Sequence, residues 1–396
     1  MKTRLSILLF LFIFLFFTPV FLTACGTPEG NNNNNSQNNN NNNNKQTKET
    51  PELKEGWQEI KPGGDTVCSR GTPYSFFARK GSTNNLVIDF QGGGACWSAE
   101  TCALKGAIFQ EDVSDLREII MNSNDPKVRA KYGGLYDVEN KENPFKEWFH
   151  VTIPYCTGDI HWGNNKVKYT PKDKKLEAFE VNHKGGSNAK SVLDWIFKNF
   201  KSPKKIFVTG CSAGSYGSII WSSHIAKHYK DAKIYHMGDC GAGIITDDFL
   251  KNSFPQWKAE FSMPSWIPTL DPAKVQIEDK DLGYLYVSIA NHYKNITFSQ
   301  YNTYQDENQV FYFKAMGAGD PKLWTKRMLE SMENIKKSAP NFRSYVAPGK
   351  KHCIIPYPEF YKVTSNGVRL VDWIKNMIDG KEVKNVKCKE ENCAPK

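Results

Sequence analysis

Gly210-Cys211-Ser212-Ala213-Gly214 is the segment whose residue types and spacing point most directly to chemistry. It follows the apolar run Lys205-Ile206-Phe207-Val208-Thr209 and precedes a helical pattern from Ala213 to about Tyr229. That context reads as strand, sharp turn and helix. Strand and helix backbones approach closely at such a turn, so the serine needs small neighbours, and the turn lifts the Ser212 hydroxyl above the sheet. The helix N-terminus behind it favours the negative charge that develops when a hydroxyl attacks a carbonyl. Five residues alone also describe a tight turn without chemistry, so the partners decide. An oxyanion needs preorganised N–H donors. One is expected from Ala213. The others are expected from Gly93 and Gly94 in Gln91-Gly92-Gly93-Gly94, which follows the strand-like Asn85–Phe90. This glycine run lacks the Gly-x-x-x-x-Gly-Lys spacing of a phosphate loop.

A serine nucleophile also needs a base and an acid that orients it. Of the eight histidines, His352 has the expected late position, in a loop after the strand-like Ser344-Tyr345-Val346. A free imidazole titrates near ~6.5, so it can take the serine proton and return it to a leaving alcohol. Two aspartates suit the third role. Asp306 follows the strand-like 295–298 and gives the order serine, aspartate, histidine found in α/β-hydrolases. Asp239 follows the strand-like 233–237 and is the alternative. Asp247, Asp248 and Asp320 read as solvated loop carboxylates. His224 and His228 stand four apart on a helix with no third ligand nearby, and no Cys-x-x-Cys is combined with His-x-x-x-His, so neither metal nor other cofactor is expected.

These residues require a scaffold. Strand-like runs at 85–90, 150–155, 205–209, 233–237, 295–298 and 344–346 alternate with helical periodicity at 187–200, 213–229 and 366–379. The alternation predicts an α/β-hydrolase-like fold, with a mostly parallel central sheet flanked by helices. Polar stretches at about 105–145 and 246–294 are expected as lid or pocket-forming insertions. Residues 56–396 are read as one catalytic domain, a size that a single core with insertions accommodates.

The N-terminus sets the compartment. Lys2 and Arg4 open the chain, Leu5–Leu22 is almost wholly apolar, and Leu22-Thr23-Ala24-Cys25 follows. This predicts a secretory signal at 1–24. Cys25 after Leu-Thr-Ala resembles a bacterial lipobox, which implies lipidation of Cys25 and attachment to a membrane. An uncleaved membrane anchor is the competing reading. Gly26 lacks the acidic residue linked with inner-membrane retention, so an outer-membrane address in the cell envelope is expected. Residues 25–55, with Asn31–Asn35 and Asn38–Asn44, read as a disordered tether. Net charge is +10, about +8 without the signal, and no basic block stands out. A nucleic-acid partner is not expected, and the body is read as a monomer. Ten cysteines leave nine after Cys25, so at least one stays unpaired. Cys96/Cys102 and Cys388/Cys393 are close enough for local bridges, and spacing does not settle the rest.

Several segments together resemble the pectin acetylesterase family, which also contains the animal carboxylesterase Notum. They are Phe90-Gln91-Gly92-Gly93-Gly94-Ala95-Cys96-Trp97, Tyr155-Cys156-Thr157-Gly158-Asp159-Ile160-His161-Trp162-Gly163, Gly210–Ser215, Asp239-Cys240-Gly241, Asp306-Glu307-Asn308-Gln309 and His352-Cys353. They span most of residues 60–360. The resemblance implies ester hydrolysis through a metal-free Ser–Asp–His triad. Its Asp-x-x-Gln element falls on Asp306 and favours it over Asp239. It also implies that Trp97, Asp159 and His161 lie at the substrate pocket, although buried polar pairs such as Asp159 and His161 also serve to hold loops. Thr157–His161 departs from the corresponding segment of plant members, which leaves the substrate open. The expected activity is deacetylation of a polysaccharide or another extracellular acyl ester. Removal of a longer acyl chain from lipid or protein is the alternative, and an inactive surface-binding lipoprotein is the non-enzymatic one.

Overall fold

Long apolar runs form the centre of the molecule because parallel strands are covered on both faces. In the computed structural model, residues 50–394 except 277 and 279 are described. The expected signal segment, Cys25 and most of the Asn-rich tether lie outside the described residues.

Nine strands form the main sheet: β1 (Trp57–Ile60), β2 (Phe76–Arg79), β3 (Asn85–Phe90), β4 (Phe149–Ile153), β5 (Lys205–Cys211), β6 (Lys233–Asp239), β7 (Phe298–Thr303), β8 (Phe342–Ala347) and β9 (Val386–Lys387). Their order is β1-β2-β4-β3-β5-β6-β7-β8-β9. The pairings β1–β2 and β2–β4 are antiparallel, and the pairings from β4 through β9 are parallel. Leu86, Val87, Ile88 and Phe90 of β3 are all fully buried. Each such side chain contributes about 1.5–3 kcal/mol. The half-exposed Arg117–Glu59 ion pair at the sheet's antiparallel edge is worth under about 1 kcal/mol by comparison. Apolar packing between sheet and helices therefore dominates.

The helix Ala213–His228 crosses behind β5 and is buried on nearly every side. Serines make this tolerable. Ser218, Ser222 and Ser223 donate their hydroxyls to the carbonyls of Ser215, Ile219 and Ile220, so no buried hydroxyl among them is left unpaired.

Most of the expected elements occur. The strand expected at 295–298 instead runs from Phe298 to Thr303. Its polar residues hid it: Ser299 is buried and donates to the His236 carbonyl, while buried Asn302 accepts from Gln309. The helices Glu307–Ala315 and Pro321–Ser338 follow, and sequence reading did not anticipate them. The insertion at 105–145 carries the helices Ser114–Met121 and Pro126–Tyr132. The one at 246–294 is less polar than its composition suggested. It buries Phe249, Phe254, Trp257, Ile267, Leu270 and Leu285 against the core.

Four disulfides are present: Cys68–Cys156, Cys96–Cys102, Cys211–Cys353 and Cys388–Cys393. The two local pairs are those expected. Among the described residues, Cys240 is the unpaired cysteine, and it is buried.

Candidate active site

Ser212, Asp239, Asp306, His352 and the Gly92–Gly94 run all follow or end parallel strands at their carboxyl ends, where open α/β sheets place ligands. Ser212 has φ 56° and ψ −120°, a backbone state that side-chain-bearing residues seldom adopt. Close packing holds it there. A Cβ on Gly214 would run into the Phe90 carbonyl, so the helix can approach β3 only with glycine at that position. The Ser212 N–H donates to the Asp239 carbonyl at 2.8 Å, which ties the turn to the end of β6.

His352 lies across the site. Its Nδ1 is 2.8 and 2.9 Å from the two carboxylate oxygens of Asp306. With Nδ1–H donated to Asp306, Nε2 is the nitrogen left to accept a proton. Asp306 is fully buried and caps the helix Glu307–Ala315. Its carboxylate also accepts the backbone N–H groups of Asn308 and Gln309, at 3.1 and 2.9 Å, and the Gln309 side-chain amide at 3.2 Å. The buried carboxyl is thereby matched by donors at the N-terminus of a helix. Gln309 is held in turn by the Ala242 N–H and by Asn302.

Asp239 has a different task. Its Oδ2 accepts the N–H groups of Ile354 and Ile355, both at 2.9 Å, and so anchors the loop that carries His352. Its Oδ1 has no partner. Burial raises the Asp239 carboxyl to about 6 despite those bonds. Asp89, at the end of β3, is bonded by the Tyr136 hydroxyl and pushed up to about 7, first by burial and further by the charge of Asp239.

Two cavities meet at Ser212 and His352. One is apolar and is bordered by Gly94, Ala213, Ile245, Phe249, Trp257 and Met316, among others. The other is a groove bordered by Gly93, Tyr132, Tyr136, Asn308 and Tyr357. Gly94 and Ala213 thus face the same space as Ser212, and Gly93 stands at its other rim. Gly94 has φ 76°, and a Cβ there would meet the Tyr312 hydroxyl and the Ile108 carbonyl.

Trp97, Asp159 and His161 lie behind the cavity walls. Trp97 packs on Phe249 and Tyr312, with ring centroids 5.0 and 6.4 Å away. Asp159 is buried; it accepts from the Thr157 hydroxyl and from the Gly185 N–H, both at 2.7 Å. His161 donates Nε2–H to the Gln91 carbonyl at 2.8 Å, and burial lowers its imidazole to about 4, so it is neutral. It steadies the residue that opens the glycine run. Sequence reading missed the Cys211–Cys353 bridge and the wall aromatics Phe249, Phe254 and Trp257. Adjacency of each cysteine to Ser212 and His352 was the available signal for the bridge.

Ligand atoms of Cys240, Asp306 and His352 lie within 4.8 Å of one another. Among the described residues, it is the one such cluster beside Ser212 whose cysteine is not in a disulfide. Burial and the Asp306 and Asp239 charges push the Cys240 thiol well up, so it is a poor source of the thiolate that a metal would need.

A sequence model of the Pectinacetylesterase family matches residues 60–263, just over half of the chain. The chain belongs to this family. The matched span contains Gly93, Gly94 and Ser212 and stops before Asp306 and His352. Palmitoleoyl-protein carboxylesterase notum2 of Xenopus laevis is 28% identical over 166 residues, 40% of this chain and 30% of that protein. Pectin acetylesterase 11 of Arabidopsis thaliana is 24% identical over 200 residues, 48% of this chain and 46% of that protein. Inactive palmitoleoyl-protein carboxylesterase notum1b of Danio rerio is 29% identical over 119 residues, 29% of this chain and 74% of that protein. The first two matches thus span less than half of those proteins. The crystal structure of the Wnt deacylase Notum from Drosophila superposes with a TM-score of 0.58 at 15% identity, covering 83% of this chain and 96% of that one. It shares the fold of this pectinacetylesterase-family chain.

The buried carboxylates predict a pH signature. Asp89 and Asp239 hold their protons in the folded state to about 7 and about 6, above the ordinary 3.8. The folded state therefore binds more protons than the unfolded one, and this contribution to stability falls as pH rises from about 4 to about 7. Urea midpoints across that range should decline less steeply in Asp89→Asn/Asp239→Asn than in the wild type. Identical slopes would show that these two carboxyls are not the source.

Proposed function

We propose that this protein hydrolyses carboxylic esters with Ser212 as nucleophile. One observation carries the reading: His352, whose Nδ1 is held by Asp306, borders the same cavities as Ser212. His352 Nε2 takes the Ser212 proton as the hydroxyl adds to the ester carbonyl. Asp306 holds the tautomer and stabilises the imidazolium. The N–H groups of Gly94 and Ala213, with Gly93 beside them, receive the oxyanion. Collapse expels the alcohol, which takes the proton from His352, and leaves an acyl group on Ser212. Water activated by the same imidazole then releases the acid.

The two cavities divide the substrate. The apolar one suits the acyl group. The groove with Tyr132, Tyr136 and Tyr357 suits a polyhydroxylated alcohol, because tyrosine offers both an apolar face and a hydroxyl. The reading favoured here is therefore removal of acetyl or another small acyl group from a polysaccharide. A longer acyl chain is the second reading, and the aromatic wall of Phe249, Phe254 and Trp257 favours it. The residues of 1–25 support export and lipid attachment at Cys25, which would hold a monomeric enzyme in a bacterial envelope, on its outer membrane.

Turnover of p-nitrophenyl esters from acetate through octanoate to palmitate tests the chemistry and the acyl preference together. The expected outcome is a maximum at acetate or butyrate. Loss in Ser212→Ala and His352→Ala should be on the order of 10³-fold or more, with a large loss in Asp306→Asn and a small one in Asp239→Asn. A maximum at octanoate or beyond would support the second reading, and equal background rates in wild type and Ser212→Ala would leave only a non-catalytic binding protein. The anchor is tested separately: Cys25→Ala should move the protein from the membrane to the soluble fraction of expressing bacteria, and retention in the membrane would argue against lipidation.

A further inference from the structure

Cys211 immediately precedes Ser212, and Cys353 immediately follows His352. The bridge between them joins the nucleophile turn to the base loop across 142 residues of sequence. We infer that the Cys211–Cys353 disulfide is a positioning clamp for the Ser212/His352 pair, and that a dithiol reductant entering the groove opens it and switches the site off. The inference rests on the proposed ester hydrolysis.

Three observations carry it. The first is placement. Neither Cys211 nor Cys353 is needed to close the fold near the site, because the base loop has other ties. Asp239 holds Ile354 and Ile355, the Glu307 N–H donates to the Lys350 carbonyl, and the Thr303 hydroxyl donates to the Lys351 carbonyl. Opening the bridge leaves those ties intact and frees the base loop to shift slightly. A shift on the order of 1 Å between reacting groups costs up to about 100-fold in rate. The second is strain. Cys353 has φ 61°, so the base-loop end of the bridge is held in a backbone state that can relax when a restraint is removed, while the Ser212 turn stays held by the sheet. The third is access. Cys211 is only partly buried, and both Cys211 and Cys353 border the groove beside Ser212. The six cysteines of the other bridges are at most 5% exposed and border neither cavity at Ser212.

The chemistry balances with one dithiol. Its thiolate attacks the sulfur of the partly buried Cys211 and expels Cys353 as thiolate, which takes up a proton. The second thiol of the reductant then displaces Cys211 from the mixed disulfide. Two electrons pass to the protein, Cys211 and Cys353 end as thiols, and the reductant ends as a cyclic disulfide. An oxidising environment outside the cytoplasm keeps the clamp closed.

The test uses the full-length protein and dithiothreitol. Wild type is titrated with reductant, trapped with an alkylating agent, mapped by mass spectrometry and assayed for kcat and KM on the best p-nitrophenyl ester. Cys211 and Cys353 should be the first cysteines of the bridges to be trapped. In step with them kcat should fall on the order of 10- to 100-fold, with KM little changed and circular dichroism unchanged, and reoxidation should restore it. Cys211→Ser/Cys353→Ser should show the lowered kcat with no further response to dithiothreitol. Cys388→Ser/Cys393→Ser should keep both the wild-type rate and the wild-type response. Amide exchange at residues 350–355 should rise on reduction, whether or not the ester is turned over. Full activity with this bridge open, activity loss that tracks another bridge, or loss only when the circular dichroism collapses would overturn the clamp. If the oxidised wild type shows no Ser212-dependent turnover, the esterase reading fails instead; unchanged exchange at 350–355 on reduction would still refute the clamp by itself.

Discussion

The rest of the site depends on one backbone constraint, the left-handed turn at Ser212. At φ 56° the serine would relax if the helix behind it could move away from β3. Gly214 pressed against the Phe90 carbonyl prevents that, and so does the bond from the Ser212 N–H to Asp239. The strained turn is therefore held by the packed interior of the sheet and not by the loops around it. Burial of β3, β5 and the helix Ala213–His228 supplies the free energy that keeps the strain in place.

Neighbouring aspartates of the site differ in the donors that surround them. Asp306 is fully buried, yet it faces a helix N-terminus, two backbone donors, an amide and the His352 ring. Those donors compensate for lost hydration and hold the carboxyl against the imidazole. Asp239 has two backbone donors for one oxygen and none for the other, and desolvation prevails. Asp89 has a single hydroxyl partner and is raised further. Numbers of donors, as well as burial, distinguish the setting of Asp306 from those of Asp239 and Asp89.

Much of this was legible in the residues. The runs at β3, β5 and β6 are apolar and β-branched, and their strand–turn junctions carry glycines at fixed offsets, so the scaffold and Ser212 could be placed together. Chain order selected His352. Asp306 was harder, because β7 is a buried strand with Ser299, Gln300 and Asn302 in it. No single periodicity distinguishes such a strand from a loop, and its hydroxyl and amide partners come from β6 and from the unanticipated helix after it. The family resemblance implied that Asp159 and His161 lie at the pocket. Their side chains instead turn inward to Gly185 and Gln91, an orientation set by backbone angles that sequence does not display. The Cys211–Cys353 bridge had only one signal, the adjacency of its cysteines to Ser212 and His352, because nine cysteines admit many pairings.

In the proposed reaction Ser212 is a nucleophile activated by the imidazole of His352. The most direct measurement is the rate of covalent labelling by a fluorophosphonate, followed by intact mass and peptide mapping. One adduct per chain is expected, on Ser212, forming at a rate that drops on the order of 10³-fold in His352→Ala. An adduct on another residue, or equal labelling rates in wild type and His352→Ala, would contradict it.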